Sequence, residues 1–200
     1  MSKPTFKQTP SQTVGPFFAY GLVPERYGHD GIADNRVAGP HAEGRAVVIR
    51  GRVLDAQGAA VPDALLEIWQ ADCHGEHTAQ AVGGGDADGF RGFARCATDD
   101  RGRFEIHTVK PGPVAGPGNA PQAPHLSVTL FARGMLNHAF TRIYFADETA
   151  ANQQDPVLGQ VPQARRAGLC AVAAPDPAAA TSYEIDIHLG GEQETVFFEV

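Results

Sequence analysis

The stretch from Val109 to Gly134 constrains the fold of this chain more than any other part of the sequence. It leaves one strand at Lys110, crosses a loop dense in proline and glycine, and enters a second strand near His125. In the second strand, alternate residues share a face: one face carries His125, Ser127, Thr129 and Phe131, and the other carries Leu126, Val128 and Leu130. This two-residue period predicts a β-strand.

Other segments of strand composition, separated by turn signals, predict an all-β protein. They lie at 46–55, 65–72, 103–109, 125–131 and 140–147, and a C-terminal hairpin is expected around Gly190–Gly191. Asp55–Gly58 and Asp99–Gly102 have the sequences of tight turns. The only helix candidate that we place is short, at Gln163–Leu169. Several short strands with little helix predict a β-sandwich with long loops.

Two regions are expected along the chain. Residues 1–45 contain few periodic elements and predict an extended N-terminal arm followed by loop. The aromatic residues Phe17, Phe18 and Tyr20 indicate that this arm packs on something, either its own sandwich or a second chain. Residues 46–200 are expected to form the sandwich.

Length and charge limit the possible classes of protein. A chain of 200 residues is long enough to bury a core without disulfides. The net charge of -7 argues against nucleic acid or an anionic membrane as a partner. The N-terminus lacks the apolar core of a signal peptide, and no apolar run is long enough to span a bilayer. Three widely spaced cysteines suggest idle thiols, so we expect a cytoplasmic protein.

The strand that begins at His125 looks like a metal site with ligands missing. A His-x-His pair would place two imidazoles on one face of a strand, but the second position here is Ser127. One imidazole does not hold a metal, so the residues alone favour a structural role for His125. Arg133 follows the same strand, and it is either directed toward a cleft lined by loops or a solvated or ion-paired arginine.

Seven segments, in order, give the chain a resemblance to the intradiol ring-cleavage dioxygenases. They are Thr9–Pro16, Leu66–Asp72, His107–Gly112, Ala123–His125, Leu130–Gly134, Thr141–Phe145 and Gly191–Phe198. The resemblance extends over nearly the whole chain. The arm, Phe131–Gly134 and Glu194–Phe198 resemble the alpha chains found in some enzymes of this family.

The resemblance implies a site that has lost its iron ligands. Catalytic chains of the family hold Fe(III) with two tyrosines and two histidines, and an arginine closely precedes the histidine pair. In this sequence Val114 stands at one tyrosine position, Ser127 at the second histidine position and Gln122 at the arginine position. No tyrosine lies between Trp69 and Phe93, where the other is expected. His125 is a lone remnant, so we expect no metal and no catalytic residue in this chain.

What the resemblance implies for function is a subunit role. Alpha chains of the family pair with a homologous beta chain that carries Fe(III), in higher oligomers of alpha–beta units. Thr13, Gly15 and Pro16 match an arm at the mouth of the partner's site, and Arg133 matches a residue close to the substrate. The implied reaction cleaves protocatechuate with O2 to 3-carboxy-cis,cis-muconate, in aromatic catabolism by the beta-ketoadipate pathway.

Two other readings remain open at this stage. One is a non-catalytic β-sandwich binding module of the transthyretin-like type, since 53–58 and 97–104 suit its strand–turn–strand units. The other is a metalloenzyme that works alone with an unfamiliar set of ligands.

Overall fold

The computed structural model describes residues 20–31, 33–77, 88–116, 118, 120–175 and 181–199. Eleven strands are found among them: β1 (Ala46–Leu54), β2 (Leu65–Trp69), β3 (Phe93–Ala97), β4 (Arg103–Val109), β5 (Val114–Ala115), β6 (Pro121–Gln122), β7 (His125–Phe131), β8 (Ala139–Phe145), β9 (Cys170–Ala174), β10 (Ser182–Glu184) and β11 (Ile187–His188). The helices are short: α-helices at Thr149–Gln154 and Gln163–Arg166, and 3-10 helices at Pro24–Tyr27, Leu158–Gln160 and Ala167–Leu169. The prediction of a mainly β protein with little helix is confirmed.

The large strands form one continuous hydrogen-bonded path that folds into two layers. The path runs β11–β1–β10–β9–β8–β7–β2–β3, and β4 pairs with β1 outside this path. Strand β9 links the two halves, because it pairs antiparallel with β10 and parallel with β8. The sandwich core lies between the two halves and contains Ile49, Ile106, Leu66 and Leu126, each with 0% exposure.

Strand β7 has the two faces that its sequence predicts. Leu126, Val128 and Leu130 are buried in the sandwich core. On the outer face, Ser127, Thr129 and Phe131 are only partly buried, but His125 is buried. A second, smaller apolar cluster that contains Tyr144, Leu158 and Leu169 explains this difference, because residues after β8 cover this end of the outer face.

One turn design occurs three times, at Asp55–Gly58, Asp72–Gly75 and Asp99–Gly102. In each, an aspartate Oδ1 accepts hydrogen bonds from the backbone N–H groups two and four residues later, at 2.8–3.0 Å. The fourth residue is glycine with φ between +71° and +85°, a conformation that favours glycine over residues with a Cβ. The first and third were predicted as turns, but the second was not.

Some elements differ from expectation. β9 was not predicted as a strand, and the loop after Gly112 contains the small β5–β6 hairpin. At the C-terminus, a turn follows β11 as expected, but the returning segment forms only an isolated bridge, Phe198 with Phe140, instead of a second strand. Residues 33–38 pack on the chain's own sheet, where Val37 is fully buried.

All three cysteines are free, and Cys96 is buried. No helix among the described residues is both long enough and apolar enough to cross a membrane.

Candidate functional site

The fold gathers the positions that the sequence marked as lost iron ligands. In the register between β7 and β8, His125 is opposite Tyr144 and Ser127 is opposite Arg142. In the β5–β6 hairpin, Val114 is paired with Gln122. The hairpin is joined to β8 because the Arg142 guanidinium donates a hydrogen bond to Gln122 Oε1 at 2.7 Å. We call these six residues the His125 site.

His125 is held as a neutral imidazole. Its Nδ1 lies 2.7 Å from the carbonyl oxygen of Ala123, so Nδ1 carries the proton and donates it. Burial, followed by the positive charge of Arg142, lowers the pKa of His125 from 6.5 to about 4. The other ring nitrogen, Nε2, makes no hydrogen bond to any residue that the structure describes, so it is available as an acceptor.

Asp155 anchors one side of the site. Its carboxylate accepts hydrogen bonds from the backbone N–H groups of Ala123, Val157 and Leu158 at 2.7–2.8 Å, and from the Tyr144 hydroxyl at 3.3 Å. These four donors account for the usual acceptor capacity of a buried carboxylate. The aspartate therefore fixes the chain on either side of the site and is already saturated.

Tyr144 remains a phenol in this setting. Its side chain is fully buried, and this burial raises its pKa to about 12. Its hydroxyl donates to Asp155 and accepts from Arg142 at 3.3 Å. A phenolate ligand to a metal is therefore disfavoured at this position.

Arg142 is a half-buried cation whose partners are all neutral. Its two hydrogen bonds go to the Gln122 amide and the Tyr144 hydroxyl, both from one guanidinium nitrogen. Within the described part of the chain, no carboxylate lies within ion-pair distance of it. The positive charge of Arg142 is therefore not neutralised locally.

The residues present do not fit a ferric ion. Of the two histidines and two tyrosines that the resemblance implies as ligands, only the His125 imidazole is present, because Ser127 and Val114 replace one of each and no tyrosine lies between Trp69 and Phe93. A guanidinium, which cannot lose its proton in a protein, lies opposite Ser127, the position of the missing second imidazole. Positive charge at this point repels a metal cation, so no chemical step can be assigned to iron at this site.

A different group of potential metal ligands lies elsewhere. Glu43, Cys73 and His74 bring one ligand atom each to within 4.8 Å of one another, and this is the one such group in the ranges that the structure describes. The sequence did not identify a third ligand for His74. Glu43 and His74 are exposed, and their contact at 3.3 Å is accounted for by a surface acid–imidazole pair.

Arg133 lies far from the His125 site. It follows the other end of β7, about 25 Å along the strand from His125. Its side chain is 65% exposed and forms an ion pair with Asp63, which also contacts Arg26 at 3.4 Å. Of the two sequence readings, the ion-paired arginine is the one observed in this single chain. Thr13, Gly15 and Pro16 lie outside the described residues.

Sequence reasoning missed Arg142, Tyr144 and Asp155. A signal was present in the alternation of Phe140, Arg142 and Tyr144 along β8, which places a cation on the same face as the expected site. Asp155 gave no such signal, because its role depends on backbone donors that meet only in the folded chain.

Comparison with known proteins reveals relatives along the whole chain. A family model described as Dioxygenase matches residues 15–191. The protocatechuate 3,4-dioxygenase alpha chain of Burkholderia cepacia is 48% identical over 98% of this chain and 99% of its own length. The beta chain of that organism's protocatechuate 3,4-dioxygenase is 33% identical over 84% of this chain and 73% of its length.

Solved structures show the same fold. The 3-chlorocatechol 1,2-dioxygenase of Rhodococcus opacus 1CP superposes with a TM-score of 0.60, covering 94% of this chain and 69% of that one at 20% identity. At 20% identity the similarity shows the fold alone, and this shared fold agrees with the predicted β-sandwich.

Proposed function

Since this chain belongs to the intradiol dioxygenase family, we propose that it is the alpha-type subunit of a protocatechuate 3,4-dioxygenase. In this role it contributes to the cleavage of protocatechuate by O2 between the two hydroxyl-bearing carbons. The product is 3-carboxy-cis,cis-muconate, and the reaction belongs to aromatic catabolism in the cytoplasm. Family membership leaves the transthyretin-like binding module without support.

One observation supports the subunit role: where the resemblance places the family's metal ligands, the His125 site lacks all but one of them. Val114, Gln122 and Ser127 occupy the places of a tyrosine, an arginine and a histidine, and Arg142 adds a positive charge among them. A chain that keeps the fold and lacks the ligands needs a partner for the chemistry. We therefore assign Fe(III) to a homologous beta chain.

The second part of the proposal is that this chain helps to form the partner's substrate pocket. Arg133 supplies a planar guanidinium, which matches a substrate carboxylate better than a lysine does. Asp63 holds this guanidinium at the surface of the free chain, so the substrate carboxylate competes with Asp63 for it. The arm residues Thr13, Gly15 and Pro16 are proposed to line the mouth of the same pocket.

An assembly of alpha–beta units follows from these roles. We expect an obligate interface, which buries more than about 2,000 Å² in total. The arm is the proposed clasp between the two chains.

The test compares three preparations: this chain alone, the beta chain alone, and the two expressed together. We expect the single chain to contain far less than one iron atom, to lack the tyrosinate-to-iron colour, and to be inactive on protocatechuate. The co-expressed pair should purify together with iron and activity. A coloured, iron-loaded and active preparation of this chain alone would show the proposal to be wrong.

A further inference from the structure

Three different ligand side chains meet where the loop before β1 passes close to the turn after β2. Glu43 belongs to the loop, and Cys73 and His74 are the two inner residues of the turn at Asp72–Gly75. Each offers one ligand atom, and the carboxylate oxygen, the sulfur and the imidazole nitrogen all lie within 4.8 Å of one another. None of the three belongs to the His125 site. We call Glu43, Cys73 and His74 the Cys73 cluster.

The backbone that carries the Cys73 cluster is fixed by the fold. Asp72 closes the turn, because its Oδ1 accepts hydrogen bonds from the backbone N–H groups two and four residues later at 2.8 and 3.0 Å. Its carbonyl oxygen accepts from the Gly112 N–H at 2.8 Å, which attaches the turn to the loop after β4. The loop before β1 comes so close that a Cβ at Gly44 would lie 2.8 Å from the Cys73 Cβ. Glu43 is therefore held beside a turn that is distant in sequence.

The separations in the Cys73 cluster approach those of a tetrahedral zinc site. Zinc lies about 2.0 Å from nitrogen and oxygen ligands and about 2.3 Å from sulfur, so neighbouring ligand atoms are about 3.3–3.6 Å apart. Glu43 Oε1 and His74 Nε2 are already 3.3 Å apart, and their side chains are 80% and 64% exposed. Both side chains are therefore free to rotate and shorten the other separations. An acid–imidazole pair accounts for this one contact but not for the sulfur beside it.

The thiol of Cys73 lies in a field of negative charge. Burial, followed by the carboxylates of Glu43 and Asp72, raises the pKa of Cys73. The free thiol therefore keeps its proton at neutral pH. A divalent cation changes this balance, because it displaces the thiol proton to solvent, takes the thiolate as a ligand and neutralises part of the negative charge.

We propose that Glu43, Cys73 and His74 bind a zinc ion, with water as the fourth ligand. Thiolate, imidazole and carboxylate are the ligand types that zinc accepts, whereas magnesium and calcium prefer oxygen ligands alone. The bound ion joins the loop before β1 to the turn after β2, so it acts as a cross-link between segments that are distant in sequence. This inference does not depend on the proposed subunit role.

The test uses the purified full-length chain, kept reduced and treated with a chelator to remove metal. Zinc binding is measured by equilibrium dialysis and metal analysis, and Co2+ serves as a coloured substitute for zinc. We expect one tightly bound zinc ion per chain, the charge-transfer absorption of a thiolate ligand with Co2+, and a higher Tm with zinc than without it. If the chain purifies only with a partner chain, the zinc content of the complex is compared across the same variants.

Two substitutions remove one ligand each, and two others are matched controls. Cys73→Ser and His74→Asn should each weaken zinc binding by more than about 10-fold, since even the loss of a residue that only supports a ligand costs this much. Cys73→Ser should also abolish the thiolate absorption of bound Co2+. Cys170→Ser removes a different free thiol, and His107→Gln removes an imidazole that contacts a glutamate at 2.7 Å. Neither control should change the affinity for zinc.

Three outcomes would overturn the proposal: no zinc bound at a ratio near one per chain, bound Co2+ without thiolate absorption, or unchanged zinc affinity in both Cys73→Ser and His74→Asn. A loss in His107→Gln as large as that in His74→Asn would likewise place the ion elsewhere. Circular dichroism verifies that each variant is folded. If one of the two ligand variants fails to fold, the other decides.

Discussion

Buried His125 should make the stability of this chain depend on pH in a specific direction. The folded chain keeps the imidazole neutral down to a pKa of about 4, whereas the ordinary value of 6.5 applies once the chain unfolds. Between these two values the unfolded chain binds a proton that the folded chain does not. Stability therefore falls as pH decreases from about 6.5 to about 4, and this contribution is constant above that window.

The size of the effect follows from the shift. One pKa unit corresponds to about 1.4 kcal/mol, so the change from 6.5 to about 4 is worth roughly 3 kcal/mol. No large discount for solvent applies, because His125 is only 7% exposed. Carboxylates also titrate in this range, so the effect of His125 must be isolated by comparison with a variant.

His125→Asn is the suitable variant, because an asparagine amide can donate to the Ala123 carbonyl in place of Nδ1 but does not titrate. Urea unfolding of both chains is followed by circular dichroism at several pH values from above 7 to 4. We expect the stability advantage of the parent over the variant to shrink by roughly 3 kcal/mol across this range. His29→Asn, at an exposed position, controls for the loss of an imidazole as such. A difference that stays constant within about 1 kcal/mol, or grows on acidification, would refute a buried neutral imidazole.

Three further outcomes are expected. In the assembled enzyme, Arg133→Ala should weaken the binding of protocatechuate by about 10- to 100-fold. The binding of catechol, which lacks the carboxylate, should weaken much less. Equal losses for the two substrates in steady-state kinetics would exclude the carboxylate role. Asp155→Asn should lower the free energy of unfolding in urea by about 2–4 kcal/mol, because an amide cannot accept hydrogen bonds from all the donors around Asp155. Asp30→Asn, at an exposed position, is the control. Deleting residues 1–16 should reduce activity of the complex with little effect on the thermal unfolding of the sandwich, and unchanged kinetics in a correctly assembled complex would contradict this.

The sheet was predictable wherever the burial of one face imposes a period of two. In β7 the apolar residues 126, 128 and 130 fall in the core, as their spacing requires. β9 was missed because its sequence, Cys170–Ala174, is made of small residues with no clear alternation. It becomes a strand by pairing with both β8 and β10, and this information is absent from the local sequence.

The lost ligands of the His125 site could be identified from the resemblance, but what replaced them could not. Val114 and Ser127 were recognised because a motif defines their positions. Arg142 lies in one of the segments that carry the resemblance, but no role was assigned to it, because its importance depends on which residue lies across from it in the register. The pairing of Arg133 with Asp63, 70 residues apart, is likewise a product of the fold.

The repeated aspartate–glycine turn has a consequence for how this chain tolerates evolutionary change. In each copy the aspartate carbonyl accepts a hydrogen bond from the glycine N–H, and the aspartate N–H donates to the carbonyl of the residue after the glycine. The surroundings of the three copies differ, because Gly58 has open space around it whereas Gly75 lies against the backbone of Pro113. The two residues between the aspartate and the glycine are therefore least constrained at Asp55–Gly58. A single-residue insertion inside any copy is a different event. It moves the glycine away from the position that needs positive φ, and it breaks both hydrogen bonds to the aspartate side chain at once. Relatives with this fold should therefore differ in sequence at these turns but keep the same turn length.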